Sequence, residues 1–116
     1  MPRLSYLELS VKNVAGVRDF YADAFGWGFT DFGPGYSATT TGDTDLGLSG
    51  DEDHPAAAML PIVEVTSDLE GALDKVVAAG GTITAPIFSY PGGRRFHFRD
   101  PAGHELGVFL SDPADG

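Results

Sequence analysis

Three glutamates, Glu8, Glu64 and Glu105, sit inside alternating apolar stretches and not in polar turns. A carboxylate so placed could act as a general base, hold a cation, or accept a hydrogen bond from a bound molecule. The plainer account is a structural carboxylate paired with an arginine or a backbone donor, as a half-buried Glu usually is. Glu8 is the candidate for catalysis. Leu7, Leu9 and Val11 take one face of its stretch, and Tyr6, Glu8 and Ser10 take the other. Glu64 stands in a similar place further on, sharing a face with Leu60 and Ile62. If Glu8 and Glu64 approached each other, burial and mutual repulsion would poise them as an acid/base pair. A metal site built from Glu8, Glu64 and Glu105 would be oxygen-rich, suited to Mg, Mn or Ca rather than Zn. Otherwise Glu105 is expected in solvent at a strand mouth.

The chain has 3 histidines and no cysteine, so thiolate metal sites and disulfides are both excluded. His54 lies in a polar linker, and His104 follows the turn DPAG. His97 stands between Phe96 and Phe98 and faces away from them, either as a base or as a surface histidine. No two histidines have the spacing of a local metal pair. Among the aromatic residues, Tyr6, Tyr36 and Phe109 are placed beside the carboxylates, where they could stack on a planar or apolar ligand. PGGRRF leads into a strand and not a helix, so it reads as a hairpin turn with two exposed arginines, not a phosphate loop.

The elements that must position these groups repeat. LSYLELSVKNVAGVRDFYADAFGW reads as a strand, an Asn13 cap and a helix, with Val14, Val17, Phe20, Tyr21, Ala24 and Phe25 on its inner side. Gly26 ends that helix, and Trp27 is expected to close over its end. Three short strands follow: Phe29 to Phe32, Tyr36 to Thr41 and Leu46 to Ser49. Residues 62–81 repeat the plan, with a cap at Ser67 or Asp68 and a helix burying Leu69, Ala72, Leu73, Val76 and Val77. Gly80-Gly81 stops it. Thr82 to Ser89, Arg95 to Arg99 and Glu105 to Leu110 complete three more strands. Two copies of one unit define module one at 3–50, a linker at 51–58 and module two at 59–111.

At 116 residues the chain has the size of one domain, and its net charge of −10 argues against a nucleic-acid partner. No apolar run approaches the length of a membrane span, and the first residues lack the apolar stretch of a signal peptide. The expected location is the cytoplasm.

In VRDFYADAFGW after the first strand, in the second helix with its GG stop, and in RFHFRDPAGHELGVF, the chain resembles the vicinal-oxygen-chelate superfamily. That superfamily holds glyoxalase I, extradiol dioxygenases, fosfomycin-resistance enzymes and bleomycin-resistance proteins. The resemblance implies an α+β fold of two β-α-β-β-β modules, a curled mixed sheet around a cleft, and a homodimer. It also implies a divalent metal held by a His of the first strand and a Glu of the last strand. Here the first-strand position holds Tyr6, with Leu60 or Pro61 as its counterpart, and the last-strand position holds Gly107. In module one Asp45 is the nearest carboxylate to the last-strand position. A cation needs several converging N or O donors, and these residues remove most of them.

The resulting expectation is a binding protein with no metal and no cofactor. It would hold a small aromatic or cationic molecule through Tyr6, Glu8, Tyr36, Leu60, Ile62, Glu64, His97, Glu105 and Phe109, as the bleomycin-resistance branch does. The alternatives are an enzyme using a rearranged carboxylate site or a Glu8 base, and a partner-binding domain that kept the fold and lost the site.

Overall fold

The structure, a computed structural model, describes residues 2–50 and 59–113; the expected linker and His54 lie outside the described residues. The chain divides into two compact units, Ser5–Leu60 and Pro61–Gly116, the second joined by Met1–Leu4.

The first unit runs β1 (Arg3–Ser10), α1 (Val14–Phe25), β2 (Thr30–Asp31), β3 (Tyr36–Ala38) and β4 (Asp45–Ser49). Its strands lie in the order β2-β3-β4-β1. β1 and β4 are parallel, with Leu7 opposite Leu46 and Leu9 opposite Leu48, whereas β3 is antiparallel to both β2 and β4. Asn13 caps α1 by accepting a hydrogen bond from the Gly16 amide at 3.0 Å. Gly26 closes the helix at φ 72, a left-handed conformation that is strained for a residue with a Cβ. The inner stripe of α1 differs from the expected one. Val14 is buried and Val17, Arg18, Tyr21 and Ala22 are half-buried, while Phe20, Ala24 and Phe25 are exposed. The cause is local: β2 and β3 are too short to cover a wide apolar stripe. Arg18 also turns inward to make a two-pronged ion pair with Asp31 at 2.8 and 3.0 Å.

The second unit runs β5 (Met59–Glu64), α2 (Leu69–Ala78), β6 (Thr82–Tyr90), β7 (Gly93–Arg99) and β8 (Glu105–Ser111), with its strands in the order β5-β8-β7-β6. Here too the first and last strands are parallel and the other pairs antiparallel. α2 covers a core of Val65, Leu69, Phe96 and Val108, supported by Ala72, Leu73, Val76, Ile83, Ile87 and Phe98. Burying each of the large members contributes roughly 1.5–3 kcal/mol. Val77, expected inside, is half exposed. Asp68, not Ser67, caps α2; its carboxylate accepts from the Gly71 amide at 3.0 Å. β6 carries two irregularities against β7, between Ile83 and Ala85 and between Ala85 and Phe88. Ile83 and Ile87, four residues apart, both pack against the core under α2, while Thr84 reaches Glu105 and Phe88 meets His97 on the opposite face.

No helix among the described residues is long and apolar enough to cross a membrane.

Candidate functional site

In each unit the helix covers one face of the strands, and the residues singled out for chemistry lie on the other. In the first unit Tyr6 and Glu8 project from β1, and Tyr36 from β3, on either side of β4. What lets them meet is Gly47, which pairs with Glu8 on one side and with Ala38 on the other. A Cβ built on Gly47 would overlap both tyrosine hydroxyls and stand 2.8 Å from a ring carbon of Tyr6. Over this bare strand the two hydroxyls form a hydrogen bond of 2.5 Å.

Glu8 is buried, and it is hydrogen-bonded to Tyr36. Burial, then the negative charge of Glu8 and the neighbouring Tyr6, push the Tyr36 hydroxyl far above the ordinary tyrosine range. Tyr36 therefore keeps its proton and acts as a donor. With Glu8 ionised, that proton points at the carboxylate, and Tyr6 must then donate to Tyr36. The result is a directed relay from Tyr6 through Tyr36 to Glu8. Its outer oxygen, on half-buried Tyr6, can accept a hydrogen bond from an amine, ammonium or hydroxyl group.

Asp45, at the start of β4, is committed elsewhere. Burial opposes its ionisation, but hydrogen bonds from Thr41, Thr39 and the Gly42 amide outweigh that and hold its carboxyl below the usual range. It is a turn-forming residue.

In the second unit the face away from α2 carries Ile62, Glu64, Thr84, Phe88, Tyr90, Arg95, His97, Glu105 and Phe109. His97 is buried, so it is not a surface histidine. Its Nδ1 lies 3.9 Å from a Glu105 carboxylate oxygen. Glu105 is not at a solvent-washed strand mouth either: its side chain is largely covered, and Thr84 donates to it at 2.8 Å. The ring of Phe88 meets His97 edge-on, with centroids 5.6 Å apart. Glu64 faces Arg3 at 3.9 Å. Ile62 pairs with Gly107 and Glu64 with Phe109, while Leu60 and Ile62 are fully buried.

Arg95 was expected to open a strand yet to be exposed, and the structure corrects the second point. It lies within β7, is half-buried, and sits 5.3 Å from the ring centroids of both Phe88 and Tyr90. The parity it shares with His97 was the available signal. Its neighbour Arg94 is likewise half-buried and pairs with Glu70 of α2 at 2.7 Å.

The donor set does not fit the divalent metal that the resemblance implies. The first-strand position is a phenol already bonded to a second phenol, and the last-strand position is Gly107, which lies between Ile62 and His97 in register. A neutral phenol is a weak ligand, and the shift at Tyr36 opposes formation of a phenolate in this pair. Among the described residues no group of three His, Asp or Glu side chains could hold a metal ion. Glu8, Glu64 and Glu105 are engaged by Tyr36, Arg3 and Thr84 respectively.

A family model described as the Glyoxalase/Bleomycin resistance protein/Dioxygenase superfamily matches residues 3–108. CFP32 of Mycobacterium bovis, whose name assigns it provisionally to the glyoxylases, is 28% identical over 93% of this chain. The match spans 45% of CFP32, so the chain covers about half the length of that relative. A Legionella pneumophila structure described as an NAD-dependent benzaldehyde dehydrogenase aligns over 92% of this chain and 98% of its own, with a TM-score of 0.77 and 21% identity. A glyoxalase/bleomycin resistance protein/dioxygenase superfamily member from Vibrio splendidus aligns over 97% of this chain and all of its own, with a TM-score of 0.68 and 18% identity. At these identities the structural likeness shows the fold alone.

Proposed function

Because the chain belongs to the glyoxalase/bleomycin resistance protein/dioxygenase superfamily, we propose that it binds a small organic molecule without a metal ion, as a sequestering protein. One observation carries this reading. Where the superfamily resemblance puts a metal ligand, Tyr6 instead ends a relay through Tyr36 to buried Glu8, seated over Gly47. Such an end suits a ligand that brings a hydrogen-bond donor, an amine or hydroxyl, next to an aromatic or apolar body. The charge of Glu8 favours a cationic donor over a neutral one. A carboxylate or phosphate ligand would meet two obstacles, the unfavourable sign of Glu8 and the chain's overall charge of −10.

The relay also supports a second reading. A bound molecule with an acidic proton could pass it to Tyr6 as Tyr6 passes its own to Tyr36 and Tyr36 passes its own to Glu8. Glu8 would then be the terminal base of a proton-abstracting enzyme. In that case binding and turnover would separate on mutation, which they would not in a sequestering protein.

The test is a ligand screen by thermal shift, run on the wild type and on Tyr36→Phe and Glu8→Gln, over amines, amino-aromatic compounds and their neutral isosteres. The proposal expects amine-bearing aromatic hits that weaken about tenfold or more in both variants. Hits unaffected by either substitution would overturn it. A hit that the wild type converts chemically, and Glu8→Gln binds but leaves intact, would favour the second reading.

A further inference from the structure

Phe32 is a large ring left 59% exposed, and its place in the first unit is specific. Its backbone amide donates to the Tyr36 carbonyl at 2.9 Å, one step beyond the Asp31–Ser37 pair, so Phe32 stands opposite Tyr36 across the β2-β3 hairpin. Asp31 and Ser37 take the side toward α1. The wholly buried Ser37 donates to Asp31 at 2.8 Å, and Arg18 of α1 donates to the same carboxylate at 2.8 and 3.0 Å. Alternation then puts Phe32 and Tyr36 on the other side. That is the side on which the Tyr6 and Tyr36 hydroxyls meet over Gly47. The Phe32 and Tyr36 ring centroids are 6.4 Å apart with planes at 59°, so the rings stand side by side and neither covers the other's face. A lone exposed Phe in a turn needs no function. This one borders the relay.

We propose that Phe32 is the residue that selects the relay's ligand by its ring, and that the ligand is an arylalkylamine. The inference rests on the reading of Tyr6, Tyr36 and Glu8 as an amine-binding relay, and it names the chemical class that relay takes. The polar end of the site lies over β4. The apolar end, Phe32, lies two strands away, about 10 Å across the sheet. A molecule that touches both must carry its ammonium on a short chain away from its ring; an amine set directly on the ring is too compact. At about 200 Å² for a whole aromatic side chain, the exposed part of Phe32 offers roughly 120 Å² of apolar surface. That suits one face of one ring and not an extended apolar body. The clamp behind the hairpin completes the arrangement. With Asp31 tied to Arg18 and Ser37, Phe32 is presented on a fixed backbone, and holding a ligand costs little further ordering.

The experiment is an NMR titration of the wild type, Phe32→Ala, Phe32→Tyr and Glu8→Gln with two probes, 2-phenylethylamine and ethylamine. The expected wild type binds 2-phenylethylamine at least tenfold tighter than ethylamine. In Phe32→Ala, with an unchanged circular dichroism spectrum, the ratio of the two affinities should fall about tenfold, and Phe32→Tyr should restore it to within about threefold. Glu8→Gln should weaken both amines and leave their ratio in place. An aryl preference that survives Phe32→Ala, while Glu8→Gln still weakens both probes, overturns the role of Phe32 and leaves the relay reading standing. A wild type that binds the two probes equally does the same. Binding that is indifferent to Glu8→Gln, or no binding of either amine, overturns the relay reading and this inference with it.

Discussion

Gly47→Ala puts the whole site account at risk with one methyl group. Gly47 has no positive φ, so alanine is acceptable to its backbone. In a strand the change by itself favours the folded state by about 0.5–1 kcal/mol. The new Cβ cannot coexist with the hydroxyls of Tyr6 and Tyr36 where they lie, and it also meets a Tyr6 ring carbon at 2.8 Å. Both tyrosines are flexible at that end, so they swing away and the strand stays put. What is lost is the Tyr6–Tyr36 hydrogen bond, about 1 kcal/mol, and the Tyr36–Glu8 bond to a charged acceptor, about 1.5–3 kcal/mol. After the backbone gain, a net loss of about 1.5–3.5 kcal/mol remains, or a fall in Tm on the order of 10 °C for a domain of this size. Urea unfolding gives the first number. Absorbance at 295 nm across alkaline pH gives an independent reading. Of the 4 tyrosines, at least Tyr36 should fail to ionise in the ordinary range before the wild type unfolds, and Gly47→Ala should bring it back. An alanine variant as stable as the wild type, with the same tyrosine titration, would refute the placement of the two hydroxyls over β4.

Other expected outcomes follow from the same contacts. Phe96 is wholly buried at the centre of the second unit's core, and Phe96→Ala should cost about 3–5 kcal/mol by urea unfolding. Asp68 caps α2 at φ 54. Asp68→Ala should cost about 1 kcal/mol, because it loses the cap and keeps the strain, whereas Asp68→Gly should lie within about 0.5 kcal/mol of the wild type by the same assay. Acid stability has a defined sign. Hydrogen bonds from Ser37 and Arg18 hold the Asp31 carboxyl low, and those from the His104 amide and side chain hold Asp100 low. Asp45 is also held low, so all three lie below their ordinary value of 3.8 when folded. Their contribution is fully present above that value and is lost as pH falls through the lowered folded values, so Tm should drop steeply only below about pH 4. A chain that lost its stability between pH 7 and pH 5 would contradict this.

Much of the fold was legible because its signals are local. Alternation in Leu4–Val11, the caps Asn13 and Asp68, and the glycine stops specify each element within a few residues of itself. The individual members of the relay were legible too, since Tyr6 and Glu8 share a parity in β1. That Tyr36 would close the relay was not, because it depends on the register of β4 between β1 and β3 and on Gly47 being bare. Glycine in a strand signals close approach by some neighbour without saying which. In β6 plain alternation separates Thr84 and Phe88 from Ile83 and Ile87, but that Thr84 reaches Glu105 depends on the register of β7 between β6 and β8, which no local pattern specifies. In α1 the aromatic residues drew the inner stripe toward Phe20 and Phe25. The inward turn of Arg18 is fixed by a partner 13 residues away, beyond any local pattern.

The most direct test of the central claim is metal binding by protein purified without an affinity tag. Metal content would be measured by mass spectrometry, and melting would be followed with EDTA and with added Mn, Ni, Zn and Mg. The account predicts well under one equivalent of metal, no effect of EDTA, and no metal-specific rise in Tm. One equivalent of a tightly held metal, or a large rise in Tm with one of these ions, would contradict it and return Glu8, Glu64 and Glu105 to consideration as metal ligands.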